Sequence, residues 1–257
     1  MIIAHRGASR NAPENTIPAF RLAWEQGADA IEGDFHLTKD GHIVCIHDDN
    51  TKKVCNTNLA VDKSTLADLR ELDVGVHKGQ TFAGTRIPTI AEVFSTIPEQ
   101  KTIYIEVKCG VEIIPTLLRE IDGSGLKEEQ IVIISFNEKV IQELKVQAPK
   151  YRTSWLCSFK KQTTGVITPS VDTVMNTLKL IHADGLSSNT DVPESIIETI
   201  LKQGYQWHVW TVDEPKTAKR MKALGAKSIT TNVPRIIREG LVEPSSSGAS
   251  QELAPEE

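Results

Sequence analysis

The sequence predicts an α/β protein of the (β/α)8 type, a TIM barrel with a small inserted subdomain after the second strand region. Short β-rich runs alternate with helix-periodic segments from end to end. Eight strand-then-helix units of about 30 residues fill about 240 residues, the size of such a barrel. No Gly-x-Gly-x-x-Gly follows any strand, which sets aside the doubly wound open sheet.

The strand candidates in order are Ile2–His5, Ala28–Phe35, Ile43–Ile46, Thr102–Val107, Ile131–Ser135, Thr153–Cys157, Ala183–Ser187, Trp207–Val212 and Ser228–Thr231. Between them, Ile17, Phe20 and Trp24 fall at i, i+3 and i+7. Ile196, Ile197, Ile200 and Leu201 make one apolar stripe, the spacing of a helix lying on a sheet. Gly27, Gly204 and Gly225 each close a helical stretch just before the next strand, as a left-handed glycine does. Asp213-Glu214-Pro215 reads as a helix start. Residues 51–86 break the rhythm with Asn56-Thr57-Asn58, a short helical pattern around Leu66–Leu72, and Gly75, Gly79 and Gly84. They read as an insertion and, because rim loops host function in such barrels, as a lid or specificity wall. One domain over residues 1–242 is expected, followed by a disordered tail from Glu243 to Glu257.

Composition narrows the function classes. An apolar content of 39% with 16 glycines is ordinary for a globular chain. The longest apolar runs are four residues, against the roughly 20 a bilayer span needs. A net charge of −5 gives no reason to expect nucleic acid or stable membrane association. Four cysteines, Cys45, Cys55, Cys109 and Cys157, form no CxxC pair and read as reduced thiols. The opening residues resemble no secretory leader, so the expected location is the cytoplasm.

Chemistry-bearing residues sit at the carboxyl ends of the predicted strands, where a barrel builds its site. His5-Arg6-Gly7 ends the first. Glu32 and Asp34, two apart, point to the same side of the second. His47-Asp48 follows the third run, and Glu106-x-Lys108 repeats the two-residue spacing at the next strand. Three carboxylates on one rim repel one another unless a cation sits among them. An all-oxygen set suits Mg²⁺ or Ca²⁺, with Mn²⁺ a third candidate, rather than zinc. Histidines at two strand ends are a natural acid and base, and Arg6 and Lys108 supply positive charge for an anionic oxygen. His36, His42, His77, His182 and His208 lack this placement and read as surface or supporting histidines. Cys109, with no base assigned to it, reads as a bystander. The pocket shape is expected to depend on the insertion and on Phe136, Trp155 and Trp210.

Together, His5-Arg6-Gly7, Pro13-Glu14-Asn15-Thr16, Glu32-x-Asp34, Thr38-Lys39-Asp40-Gly41, His47-Asp48 and Glu106-x-Lys108 resemble the glycerophosphodiester phosphodiesterase family. Arg86–Val93 before a helix, Trp210-Thr211-Val212 and Thr231-Asn232-x-Pro234 extend the resemblance over nearly the whole folded chain. The resemblance implies a metal-dependent hydrolase with Glu32, Asp34 and Glu106 as metal ligands, and His5 and His47 as the acid–base pair. It makes Arg6 and Lys108 phosphate contacts; Phe136 and Trp210 are the further substrate-binding candidates. The implied substrates are small glycerophosphodiesters such as glycerophosphocholine or glycerophosphoethanolamine, cleaved to sn-glycerol 3-phosphate and an alcohol. The expected route has one histidine deprotonate the glycerol 2-hydroxyl and the other protonate the leaving alcohol, through a cyclic 1,2-phosphate that water opens. The sequence does not say which histidine starts as base; His5 is preferred. Nor does it give an oligomeric state. Gly33 inside the Glu-x-Asp pair and Asn232, where an acidic residue is also common, are local departures. A phospholipase C- or D-like lipid phosphodiesterase is the rival enzyme, disfavoured by the polar 51–86 segment. A non-catalytic barrel scaffold is the rival outside enzymes, disfavoured because both histidines and all three carboxylates are present.

Overall fold

A computed structural model describes residues 1–242; the tail expected at 243–257 lies outside the described residues. Among the described residues eleven strands are formed: β1 (Ile2–His5), β2 (Ala30–Leu37), β3 (Ile43–Cys45), β4 (Thr102–Val107), β5 (Ile131–Ser135), β6 (Arg152–Cys157), β7 (Lys160–Lys161), β8 (Ile167–Thr168), β9 (Gly185–Ser188), β10 (Gln206–Val209) and β11 (Ser228–Thr231). Helices α1 (Ile17–Glu25), α2 (Leu66–Arg70), α3 (Ile90–Phe94), α4 (Ile114–Gly123), α5 (Glu138–Gln147), α6 (Val171–Leu180), α7 (Glu194–Lys202), α8 (Pro215–Ala223) and α9 (Pro234–Leu241) alternate with them.

Eight strands pair in parallel in the order β1-β11-β10-β9-β6-β5-β4-β2, and β1 pairs with β2 to close the (β/α)8 barrel. The third predicted run is not a barrel strand. β3 is antiparallel to β2, with Phe35 opposite Cys45, and it leads into the insertion. The hairpin of β7 and β8 had no counterpart in the predicted elements; each strand has only two residues.

Local chemistry accounts for the helix ends. Thr16 caps α1 through its side chain, with a proline in the first turn, and Ala19, Phe20 and Ala23 are buried against the sheet. Gly27, Gly204 and Gly225 adopt positive φ after α1, α7 and α8, as their spacing predicts. Thr89 and Glu92 form a capping box, so part of the Arg86–Val93 motif is a helix-start signal. The start predicted at Asp213-Glu214-Pro215 is formed there, with Glu214 before the first turn and Pro215 in it.

The insertion has its own small core of Val54, Val61, Leu69 and Val74 packed with Val44, Ile46 and Ile87. It does not form the expected wall, since no residue of 51–86 lines the cavity that holds His5, Glu32 and Glu106. It braces the β1–α1 loop instead. Lys53 Nζ meets Glu14 at 2.8 Å and Lys78 Nζ donates to the Ser9 carbonyl at 2.8 Å. Gly33 also has a packing reason. A Cβ there would stand 3.1 Å from Cys45 Sγ and 3.2 Å from the Phe20 ring, so α1 and β3 press directly on the back of the strand that carries the two carboxylates.

Gly7 turns the chain out of β1 with φ of 79°, and a Cβ there would lie 2.5 Å from the Ala19 backbone. Gly7→Ala therefore combines left-handed strain with a backbone clash and should cost on the order of 2–4 kcal/mol. Gly84→Ala, at φ of 83° with open space around it, should cost only about 1–2 kcal/mol. Urea titration of both variants checks the difference; equal midpoints would show that helix α1 yields freely.

Candidate active site

The barrel register gathers the predicted residues. His5 pairs with Glu32 across β1 and β2, and Asp34 pairs with Glu106 across β2 and β4. Because alternate residues face the barrel interior, Glu32, Asp34 and Glu106 converge there, with one oxygen of each within 4.8 Å of the others. All three are buried. His5, Arg6, Glu32, His47, Glu106, Lys108, Phe136 and Trp210 line one cavity of about 200 Å³. Asp34 lies behind it, covered by Arg6, Lys108 and Asn15.

The β1–α1 loop wraps this cluster. Arg6 and Asn15 both hold left-handed backbone, φ 55° and 58°, an uncommon conformation for residues with side chains. In return the Arg6 amide donates to Glu32 at 2.9 Å, and Asn15 brackets Asp34 by donating through Nδ2 and accepting the Asp34 amide. Arg6 Nε sits 3.2 Å from Asp34, an ion pair without hydrogen-bond geometry, while Nη1 donates to Glu14 at 3.0 Å. Lys108 Nζ donates to Glu106 at 2.8 Å and lies 3.5 Å from Asp34 and 3.3 Å from His47 Nε2.

Two side-chain cations against three carboxylates leave the cluster unbalanced. Burial, then the charges of Asp34 and Glu106, pushes Glu32 well above the usual carboxylate range. Burial and Asp34 raise Glu106 to about 7, outweighing its contact with Lys108. Burial also pushes Asp34 upward, but Arg6 and Lys108 together hold it down. Glu32 Oε1 and Asp34 Oδ1 are buried without hydrogen-bond partners. Orphaned carboxylate oxygens converging at this distance fit a hard divalent cation by charge and by donor type.

The two histidines are held differently. His5 Nδ1 lies 2.7 Å from Asn232 Oδ1. The Asn232 amide is oriented by Asp213, which accepts both its backbone N–H and its Nδ2–H at 2.8 Å. Its oxygen therefore faces His5, and Nδ1–H is the donor, leaving Nε2 with the free lone pair. Burial, then the Arg6 charge, lowers the His5 pKa and keeps the ring neutral. His47 instead donates from Nδ1 to the Asp48 carboxylate at 2.6 Å, which fixes the ring.

Several supporting residues were not assigned roles by the sequence reading: Glu14, Asn15, Asp48, Asp213 and Asn232. Glu14, Asn15, Asp48 and Asn232 stood inside the motifs already quoted, which was the available signal. His36 holds the His47 carbonyl through Nε2 at 3.1 Å, a supporting role as expected, and His42, His77 and His182 are exposed. His208 departs from expectation, because it lines the cavity. Trp155 departs too. It packs outward among helix residues, since its neighbours Ser154 and Leu156 take the inward positions on β6. Phe136 and Trp210 stack edge-to-face at the cavity mouth, centroids 5.7 Å apart. Cys109 is a thiol raised to about 11 by burial, consistent with a bystander, and all four cysteines are free. Among the described residues no helix is long and apolar enough to cross a membrane.

The model of the glycerophosphoryl diester phosphodiesterase family matches residues 5–236. A glycerophosphodiester phosphodiesterase of Caldanaerobacter subterraneus is 35% identical over 93% of this chain and 98% of its own. The structure of an Oleispira antarctica phosphodiesterase in complex with sn-glycerol 3-phosphate superposes with a TM-score of 0.83 at 25% identity, covering 93% of this chain and 96% of that one. A glycerophosphodiester phosphodiesterase structure from Agrobacterium tumefaciens gives 0.73 at 26% identity, covering 93% and 98%.

Replacing Glu106 isolates its contribution to stability in metal-free protein. A carboxyl raised from its ordinary value to about 7 binds its proton in the folded state, so its stabilisation is full below about pH 4 and declines as pH rises toward 7. Against that, Glu106→Gln should gain on the wild type by on the order of 2–3 kcal/mol between pH 4 and pH 8. Denaturant unfolding of the pair across that range is the measurement, with the slope of the difference as readout. A flat difference would mean that the cluster is not electrostatically strained.

Proposed function

Because this chain belongs to the glycerophosphoryl diester phosphodiesterase family and is therefore a hydrolase of glycerophosphodiesters, we propose that it cleaves small water-soluble diesters such as glycerophosphocholine and glycerophosphoethanolamine. The products are sn-glycerol 3-phosphate and the free alcohol. The reading rests on one observation: a cluster of three buried carboxylates, two of which line a single cavity together with two differently held histidines. The Oleispira relative holds sn-glycerol 3-phosphate, and the same product is assigned here.

Glu32, Asp34 and Glu106 are the proposed holders of one divalent cation, Mg²⁺, Ca²⁺ or Mn²⁺. When bound, such an ion acidifies a coordinated hydroxyl and neutralises phosphate charge. Arg6 and Lys108, each partly buried beside the cluster, hold the phosphate oxygens. His5, neutral with Nε2 unprotonated, removes the proton from the glycerol 2-hydroxyl as that oxygen attacks phosphorus. His47, backed by Asp48, delivers a proton to the departing alcohol oxygen. A cyclic 1,2-phosphate results, and the roles reverse as water opens it. Asn232 keeps His5 in the required tautomer and Asp213 keeps Asn232 in the required orientation. Phe136 and Trp210 flank the head group at the mouth.

A coupled assay for sn-glycerol 3-phosphate should show turnover of glycerophosphocholine that EDTA abolishes and divalent ion restores. His5→Ala and His47→Ala should each lose about 10²–10⁴-fold in kcat. Normal turnover by either variant with metal present would falsify the two-histidine route.

A further inference from the structure

The Pro13-Glu14-Asn15-Thr16 motif carries one charged residue, Glu14, and the proposed reaction gives it no task. Local hydrogen bonds fix where it stands. The Asn15 amide donates to the Arg6 carbonyl at 3.0 Å, and Thr16 Oγ1 donates to the Pro13 carbonyl at 2.6 Å. The loop therefore folds back and sets Glu14 beside the Arg6 side chain. Glu14 Oε1 accepts from Arg6 Nη1 at 3.0 Å and from Lys53 Nζ at 2.8 Å, and Oε2 accepts from the same ammonium at 3.1 Å. Lys53 belongs to the insertion, next to Val54 in its small core. Burial pushes the Glu14 carboxyl up, but Lys53 and then Arg6 hold it below the usual range, so it is ionised near neutral pH.

The effect of Glu14 on Arg6 shows in the contact with Asp34. A guanidinium beside a carboxylate ordinarily closes into two parallel N–H···O bonds. Arg6 stops short of that. Its Nε is buried 3.2 Å from Asp34 Oδ2 and makes no hydrogen bond, while Nη1 is turned to Glu14. An unmet buried N–H is unfavourable, so something must pull the guanidinium off Asp34. The Glu14 carboxylate, itself anchored by Lys53, is placed to do it. The consequence falls on the carboxylates. Asp34 uses Oδ2 to accept from Asn15 Nδ2 at 2.8 Å, and its Oδ1 is left without a hydrogen bond. Glu32 divides in the same way, with Oε2 accepting the Arg6 amide and Oε1 left without one. A closed, two-bond pair with Arg6 would occupy both oxygens of Asp34.

Resting on the reading of Glu32, Asp34 and Glu106 as holders of a divalent cation, we propose that Glu14 is a positioning residue. Anchored by Lys53, it holds the Arg6 guanidinium off Asp34. That keeps Asp34 Oδ1 available to the cation and Arg6 available to phosphate. Lys53 does not line the cavity, so the insertion sets cation affinity from outside it.

Binding of Mn²⁺ to the full chain, followed by the electron paramagnetic resonance of the free ion, reads this without turnover. Glu14→Ala should bind Mn²⁺ about 10–100-fold more weakly than wild type, because the released guanidinium closes onto Asp34. Glu14→Gln keeps an acceptor for Nη1 without the charge and should stay within about 3-fold of wild type. In an Arg6→Ala background, Glu14→Ala should cost less than about 2-fold more. Lys53→Ala should weaken binding by about 2–5-fold, whereas by charge alone the loss of a nearby cation would strengthen it. Lys53 is half exposed, so this variant keeps the test open should Glu14→Ala not fold. Four results would each overturn the proposal while the cation site stands: no loss in Glu14→Ala, an equal loss in Glu14→Gln, a loss that persists without Arg6, or unchanged or tighter binding by Lys53→Ala. Wild type that binds no Mn²⁺ would instead remove the cation site on which the proposal rests.

Discussion

Mutual repulsion among Glu32, Asp34 and Glu106 is the constraint around which this end of the barrel is built. Carboxylates buried on adjacent parallel strands cannot all ionise without positive charge nearby. The chain supplies part of that charge through Arg6 and Lys108 and part of the polarity through the Arg6 amide and Asn15. Two carboxyls nevertheless remain shifted upward and two buried oxygens remain without a hydrogen bond. A fold selected for stability alone would place apolar residues at these strand ends. The imbalance makes sense as a receptor for a cation, and the left-handed backbone at Arg6 and Asn15 is the strain accepted to aim the loop at it.

Rigidity behind the cluster follows from the same constraint. Gly33 lets Phe20 and Cys45 press on the back of β2, and Gly7 lets the β1–α1 loop lie against Ala19. The insertion then ties that loop from outside through Lys53 and Lys78. Its small separate core holds these lysines in place. The segment therefore meets the candidate site by bracing the loop that carries Arg6 and Asn15.

Much of this was legible in the sequence because strand periodicity is short-range. Two-residue spacing put Glu32 with Asp34 on one side of β2 and Glu106 with Lys108 at one end of β4, and the HRG…ENT and HD motifs supplied the rest of the cluster. What was not legible depended on distant partners. Asn232 reaches His5 across 227 residues of chain because β11 closes the barrel onto β1, and the Asp213 carboxylate finds its partners on β11 and just after it. The placement of Trp155 could have been read: with Ser154 and Leu156 facing inward, parity sends it outward. The run Ile43–Ile46 does form a strand, β3, but a four-residue apolar run looks alike in a barrel and in an antiparallel flap, so its place beside β2 was not readable.

The two histidines show how identical side chains are made unlike. Both use Nδ1 for support and keep Nε2 for the cavity side, so the difference lies in the supporting atom. An amide oxygen on His5 fixes a tautomer without adding charge, while burial and Arg6 work against protonation, which keeps the ring a proton acceptor. On His47 the supporting atom is a carboxylate oxygen, which accepts from Nδ1 at 2.6 Å, while the Lys108 ammonium stands 3.3 Å from Nε2. The proposed division of roles rests on Asn232 on one side and Asp48 on the other. A second amide, Asn15, performs a parallel task at Asp34 by donating to the carboxylate and accepting its backbone N–H. Neutral amides serve where orientation must be fixed without shifting the charge balance, and ionised groups serve where the balance itself is to be moved.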